Sequence, residues 1–129
     1  MAEKRILVVD DNPAILEVFA ILLGEKYKVT LKEHVRNIIK TVSENPPDLI
    51  ILDKMLSSVD GCDLCTAIKG DKTYSNIPVI MISANNMAGQ ACLNSGATEF
   101  IEKPFRVKTM MERVAYYLNP GSIANGEYL

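Results

Sequence analysis

Asp10-Asp11, Asp53, Ser83 and Lys103-Pro104 each follow a short apolar run, at residues 6–9, 49–52, 79–82 and 100–101, with Glu102 just before Lys103. If those runs lie side by side, three carboxylates, a hydroxyl and an ammonium meet although they are far apart in the chain. Two carboxylates about 4 Å apart repel by about 4 kcal/mol at an effective dielectric of roughly 20, so such a pocket demands a cation. Lys103 supplies one positive charge. A hard divalent ion fits the remainder, because Mg²⁺ is held by one or two carboxylates, waters and a phosphate oxygen. A carboxylate beside that ion is also a nucleophile able to form an acyl phosphate. The charge on a phosphoryl group in transfer would be met by the metal, by Lys103, and by Ser83 with nearby backbone N–H groups.

Positioning these groups falls to the runs themselves. Short β-branched runs separated by helix-length amphipathic segments read as buried strands of a parallel sheet, whose ligands bind beyond the carboxyl ends of the strands. Asn12-Pro13 supplies an N-cap and a first-turn proline for a helix with Ile15, Val18, Phe19 and Leu22 on its inner stripe, stopped at Gly24. Residues 27–31 are a weaker strand flanked by lysines, which suits a sheet edge. Val35, Ile38, Ile39 and Val42 mark a second helix, closed by Asn45-Pro46-Pro47, and Asp60-Gly61 caps a third with Leu64, Cys65 and Ile68 inside. Pro78 opens the next strand and Gly96-Ala97 turns into the last one. Between them, residues 85–95 are a poorer helix, since Gly89 costs up to ~1 kcal/mol relative to alanine. Val107, Met110, Met111, Val114, Ala115 and Leu118 form the cleanest helical stripe, ended by Asn119-Pro120-Gly121. Five alternations of strand and helix predict right-handed crossovers and a three-layer α/β/α sandwich. One domain is expected over residues 1–118, followed by a loose tail at 119–129.

Composition agrees with this and narrows the partners. A chain of 129 residues with 48% apolar and 23% charged residues has room for one core, and a net charge of −2 argues against a nucleic-acid-binding body. The run after Lys4-Arg5 is cut by Asp10-Asp11 far short of a signal peptide, and no stretch is long enough for a membrane span, so the cytoplasm is expected. Cys62, Cys65 and Cys92 cannot all pair, which agrees with a reducing compartment.

The fragments Val8-Val9-Asp10-Asp11-Asn12, Leu52-Asp53, Asp60-Gly61, Ile82-Ser83-Ala84 and Lys103-Pro104-Phe105, in this order from about Arg5 to Leu118, resemble the receiver domain of two-component response regulators. The resemblance implies a doubly wound, flavodoxin-like fold with strand order 2-1-3-4-5. It implies that Asp53 accepts a phosphoryl group from a sensor histidine kinase or phosphotransfer protein. Asp11, Asp53 and the backbone carbonyl of Met55 would ligate Mg²⁺, with Asp10 acting through a water. Ser83 and Lys103 would bind the phosphoryl group, and Ser83 with Phe100 would switch a surface made of the fourth helix, last strand and last helix. A cis Lys103-Pro104 bond is also implied. The output would be a downstream protein target, without direct nucleic-acid or membrane binding, and a homodimer of the phosphorylated form stays open. Such a chain is a signalling domain that assists its own phosphorylation and dephosphorylation, not an enzyme with a separate substrate.

Two departures stand out. Receiver domains often have Met-Pro-Gly before the Asp-Gly turn, where this chain has Leu56-Ser57-Ser58, which predicts a looser loop. The interval from Ser83 to Lys103 is also shorter than usual, and the deficit falls in the weak segment 85–95. Other readings remain open: a pseudo-receiver that binds a partner without phosphorylation, or an aspartyl-phosphate phosphatase, whose Asp-x-Asp pattern is missing because Lys54-Met55 follows Asp53. Among blander roles, Asp10-Asp11 alone would be a turn, Ser83 a cap and Phe100 a core residue. Cys62 and Cys65 share a helix face without a second ligand pair for zinc or a strand-borne redox motif. His34 is expected at a solvated helix start, and Lys54 exposed on the loop, pointing away from the acceptor's face.

Overall fold

Alternation of side-chain direction along each strand explains how the sheet is held between two helical layers. The computed structural model describes residues 3–119. Its strands are β1 (Arg5–Val9), β2 (Lys28–Lys32), β3 (Leu49–Asp53), β4 (Val79–Ser83) and β5 (Glu99–Glu102). The helices are α1 (Pro13–Gly24), α2 (Ile38–Glu44), α3 (Gly61–Gly70), α4 (Gly89–Asn94) and α5 (Val107–Leu118), and a 3₁₀ turn at Asn86–Ala88 leads into α4. All strand pairs are parallel, in the order β2-β1-β3-β4-β5, as expected.

Successive strand residues point to opposite faces. Leu7, Val9, Ile50, Leu52, Val79 and Met81 therefore pack with α2, α3 and α4, whereas Ile6, Val8, Leu49, Ile51, Ile80 and Ile82 pack with α1 and α5. Every residue of β3 and β4 is buried, so these central strands read as continuous apolar runs. Full burial of each such aliphatic side chain contributes about 1.5–3 kcal/mol.

Caps set the helix starts. The Asn12 side chain accepts from the Ala14 N–H with Pro13 in the first turn, and the Asp60 side chain accepts from the Cys62 N–H. Asn37 caps α2 by accepting from Lys40 N–H, so Val35 lies before that helix, although it is buried. His34 likewise sits in the β2–α2 loop, exposed, and not at a helix start. The edge strand begins one residue later than expected, which leaves Tyr27 buried below it.

The inner stripe of α1 differs from the expected one. Leu16, Phe19 and Leu23 are buried, and Val18 is 40% exposed. Apolar residues surround α1 so densely that more than one stripe satisfies a 3.6-residue period, and the stacking of Phe19 on Phe105 at 5.4 Å accompanies the phase adopted. In α5 the inner residues are Met110, Val114, Ala115 and Leu118, and Val107, the first residue of the helix, is exposed. Segment 85–95 does form the shortest α-helix among the described residues, six residues long. Gly96 adopts φ +104°, a left-handed turn open to glycine, and delivers the chain into β5. The Lys103-Pro104 peptide is cis. Pro120-Gly121 and the expected tail lie outside the described residues.

Candidate functional site

Parallel pairing with β1, β3 and β4 adjacent brings the polar strand ends to one rim. Asp10 directly follows β1, Asp53 ends β3, Ser83 ends β4, and Lys103 follows β5. Their separation in sequence disappears: Lys103 Nζ donates to Asp10 Oδ2 at 2.8 Å and to Asp53 Oδ2 at 3.0 Å. The carboxylates of Asp10, Asp11 and Asp53 each present an oxygen within 4.8 Å of the others. Asp10, Asp53 and Ser83 are buried and Asp11 is half-buried, so the rim is enclosed at its base and open above Asp11.

Backbone donors complete the arrangement. Asp53 Oδ1 accepts from Met55 N–H at 3.1 Å, Asp10 Oδ1 from Asn12 N–H at 2.9 Å, and Ser83 Oγ from Asn85 N–H at 3.1 Å. Burial is the main cause that pushes the Asp53 pKa above the ordinary carboxylate value, with Asp10 adding to it, against the Met55 N–H and Lys103. Burial pulls Lys103 the other way, but its bonds to Asp10 and Asp53 outweigh that and hold the ammonium protonated above the ordinary lysine value. One ammonium thus faces three carboxylates. A hard, all-oxygen cation site fits the remaining negative charge, and Asp11 takes part in no salt bridge among the described residues.

Phe100 does not enter this pocket. It pairs with Met81, two residues before Ser83 at the rim, partly buried, and its ring packs so closely on Gly89 that a Cβ there would stand 3.2 Å from Cδ2. The cysteines gather with the α3 side of the core, and among the described residues no group of three metal-binding side chains includes them. A zinc reading of Cys62 and Cys65 therefore gains no further ligand.

Lys54 departs from expectation. It is not exposed on the loop: its side chain is 16% exposed and its ammonium lies 3.0 Å from Asp60 Oδ2. The partner could have been sought in sequence, because Asp60 is the only carboxylate in the loop, but Asp60 was fully accounted for as a helix cap. Gly61 was also read only as part of that cap. A Cβ at this glycine would collide with the Asp53 carbonyl oxygen, so the absence of a side chain lets α3 begin against the end of β3.

A family model, the response regulator receiver domain, matches residues 6–115. Among curated relatives, the DNA-binding response regulator MtrA of Mycolicibacterium smegmatis is 35% identical over 86% of this chain and 49% of its own length. The DNA-binding dual master transcriptional regulator RpaA of a Synechocystis species is 36% identical over 85% and 47%. The chain thus spans about half the length of the curated relatives it matches. Among solved structures, a response regulator from Chloroflexus aurantiacus aligns with a TM-score of 0.84 at 26% identity, covering 91% of this chain and 98% of that one. The receiver domain of a Pseudomonas aeruginosa sensor histidine kinase, described with a magnesium ion coordinated in its active-site cleft, aligns with a TM-score of 0.76 at 28% identity, covering 91% and 98%.

Proposed function

The chain belongs to the response-regulator receiver family of two-component signalling, and from that premise we propose that it takes a phosphoryl group on Asp53 from a histidine kinase or phosphotransfer protein and passes the signal to a protein partner. The observation that carries this reading is Lys103 Nζ bridging Asp10 and Asp53 with Asp11 beside them. Residues 1–118 form the unit that does so.

Asp53 is the nucleophile, its carboxylate held toward the rim by the Met55 N–H. Asp11, Asp53 and the Met55 carbonyl are the groups that would hold Mg²⁺, with Asp10 through a water. The bound ion supplies positive charge for the phosphoryl oxygens. Lys103 already neutralises two carboxylates, and it turns toward the phosphoryl group as the charge on Asp53 is consumed in the acyl bond. The Ser83 hydroxyl donates to a phosphoryl oxygen and thereby reports the modification. Phe100 stands beside Met81 of β4 with its ring against Gly89 of α4, so movement of Ser83 is read as a shift of the Phe100 ring against Gly89 and of the α4-β5-α5 surface. Among the described residues no helix is long and apolar enough to cross a membrane, which suits a kinase partner met in the cytoplasm.

Intact mass after incubation with Mg²⁺ and acetyl phosphate tests the assignment. One added phosphoryl group, absent in Asp53→Asn and absent with chelator, is the expected result. No gain in mass together with no Mg²⁺ binding would overturn it in favour of a pseudo-receiver.

A further inference from the structure

The loop that leaves Asp53 has no proline to stiffen it: Lys54-Met55-Leu56-Ser57-Ser58-Val59 runs directly to Asp60-Gly61. Its two ends are nevertheless fastened together. Met55 and Asp60 form an antiparallel bridge, Gly61 N–H donates to the Lys54 carbonyl at 2.7 Å, and Lys54 N–H donates to the Ile82 carbonyl at 2.9 Å. Across this neck the Lys54 ammonium pairs with Asp60 Oδ2 at 3.0 Å, and Asp60 Oδ1 accepts from Cys62 N–H at 2.8 Å. Asp60 therefore divides its oxygens between the start of α3 and Lys54. The Met55 peptide is caught between the two fastenings, with its N–H on Asp53 Oδ1.

We propose that Lys54 is a positioning residue for the metal: its ion pair with Asp60 clasps the β3–α3 loop and holds the Met55 peptide where its carbonyl serves Mg²⁺. This role rests on the function proposed above. A loop held in its binding geometry loses less freedom when the ligand arrives, so the clasp returns as affinity. Because Asp60 is 46% exposed, the pair is partly screened and its contribution is that of a surface pair.

The sign of one variant separates this role from simple electrostatics. Lys54→Met removes a positive charge near a cation site, so a pure charge effect tightens Mg²⁺ binding, whereas loss of the clasp weakens it. Mg²⁺ affinity is measured by calorimetric titration without phosphodonor, alongside amide exchange at Gly61, for the wild-type chain, Lys54→Met, Lys54→Arg and Asp60→Asn. The expected result is roughly three- to fivefold weaker binding and faster Gly61 exchange in Lys54→Met and Asp60→Asn, with Lys54→Arg close to wild type. Asp60→Asn keeps a side-chain oxygen for the α3 cap, so its effect is not that of an unfolded helix. Unchanged or tighter Mg²⁺ binding in Lys54→Met, beside normal binding by the wild-type chain, would overturn the role of Lys54 alone. No Mg²⁺ binding by the wild-type chain would overturn the metal reading and the role together.

Discussion

The two helices that flank β5 are held in different ways. α5 spans twelve residues, buries Met110, Val114, Ala115 and Leu118, and is tied to β5 by polar bonds as well. Arg113 Nε reaches Glu99 Oε1 and Oε2 at 2.9 and 2.8 Å, Tyr117 OH donates to Glu99 Oε1 at 2.6 Å, and the Arg113 guanidinium lies 4.5 Å over the Tyr116 ring. α4 is six residues long, buries only Cys92 within its span, and has no side-chain cap at its start. Against β5 it presents Gly89 to the ring of Phe100. One side of the strand is a fixed frame and the other a lightly held element. Under the proposed function, a displacement at Ser83 would meet its least resistance toward α4, because local stability follows buried apolar contacts and bonded side chains.

The largest expected difference is in amide exchange. Protected amides of α4 should exchange roughly a hundredfold faster than those in the middle of α5. Equal protection would break the comparison. Truncation should show the same asymmetry: Met110→Ala, from a fully buried position, is expected to cost about 3 kcal/mol in denaturant unfolding, and Leu93→Ala, at 46% exposure, less than about 0.5 kcal/mol.

Smaller effects sharpen the polar half of the contrast. Glu99→Gln, which leaves Arg113 and Tyr117 with a weaker acceptor, should cost about 1 kcal/mol, discounted for the partial exposure of the pair. Burial, with Glu99 beside it, raises the Tyr117 pKa above its ordinary value. The neutral phenol is therefore favoured in the folded state, and its contribution is complete below the ordinary tyrosine pKa and lost as pH rises through the raised one. Melting curves taken on either side of about pH 10 should fall more steeply for wild type than for Tyr117→Phe. Identical slopes would remove Tyr117 from the frame. Smallest is Gly89→Ala, where the gain of up to ~1 kcal/mol in helix propensity is offset by crowding of Phe100 at 3.2 Å. Stability should change by less than about 0.5 kcal/mol while the Phe100 ring resonances shift. A large stability change with unmoved ring resonances would show that Gly89 does not support the ring.

Much of the rim was legible from residue types alone. Asp10, Asp11, Asp53, Ser83 and Lys103 lie at the ends of apolar runs, and parallel strands present their carboxyl ends along one edge of the sheet. The shortness of α4 was legible too, because Gly89 and its polar neighbours lower helix propensity locally. The phase of α1 was not, since Ile15, Leu16, Val18, Phe19, Ile21, Leu22 and Leu23 leave no single apolar stripe. Lys54 was misjudged for a related reason: strand alternation points its side chain away from the Asp53 face, but says nothing about a loop that folds back to bring Asp60 to it.

What the sequence by itself determined is the set of short-range periodicities, the caps at Asn12 and Asp60, and the polar residues that end each strand. These depend on neighbours within a turn of helix or a few residues of strand. Tertiary structure alone decided which stripe of α1 faces the sheet, that Lys103 is shared between Asp10 and Asp53, that Gly89 carries the Phe100 ring, and that Lys54 clasps Asp60. Each of these is a contact between side chains whose meeting depends on how whole elements dock, and docking is set by the packing of the full core.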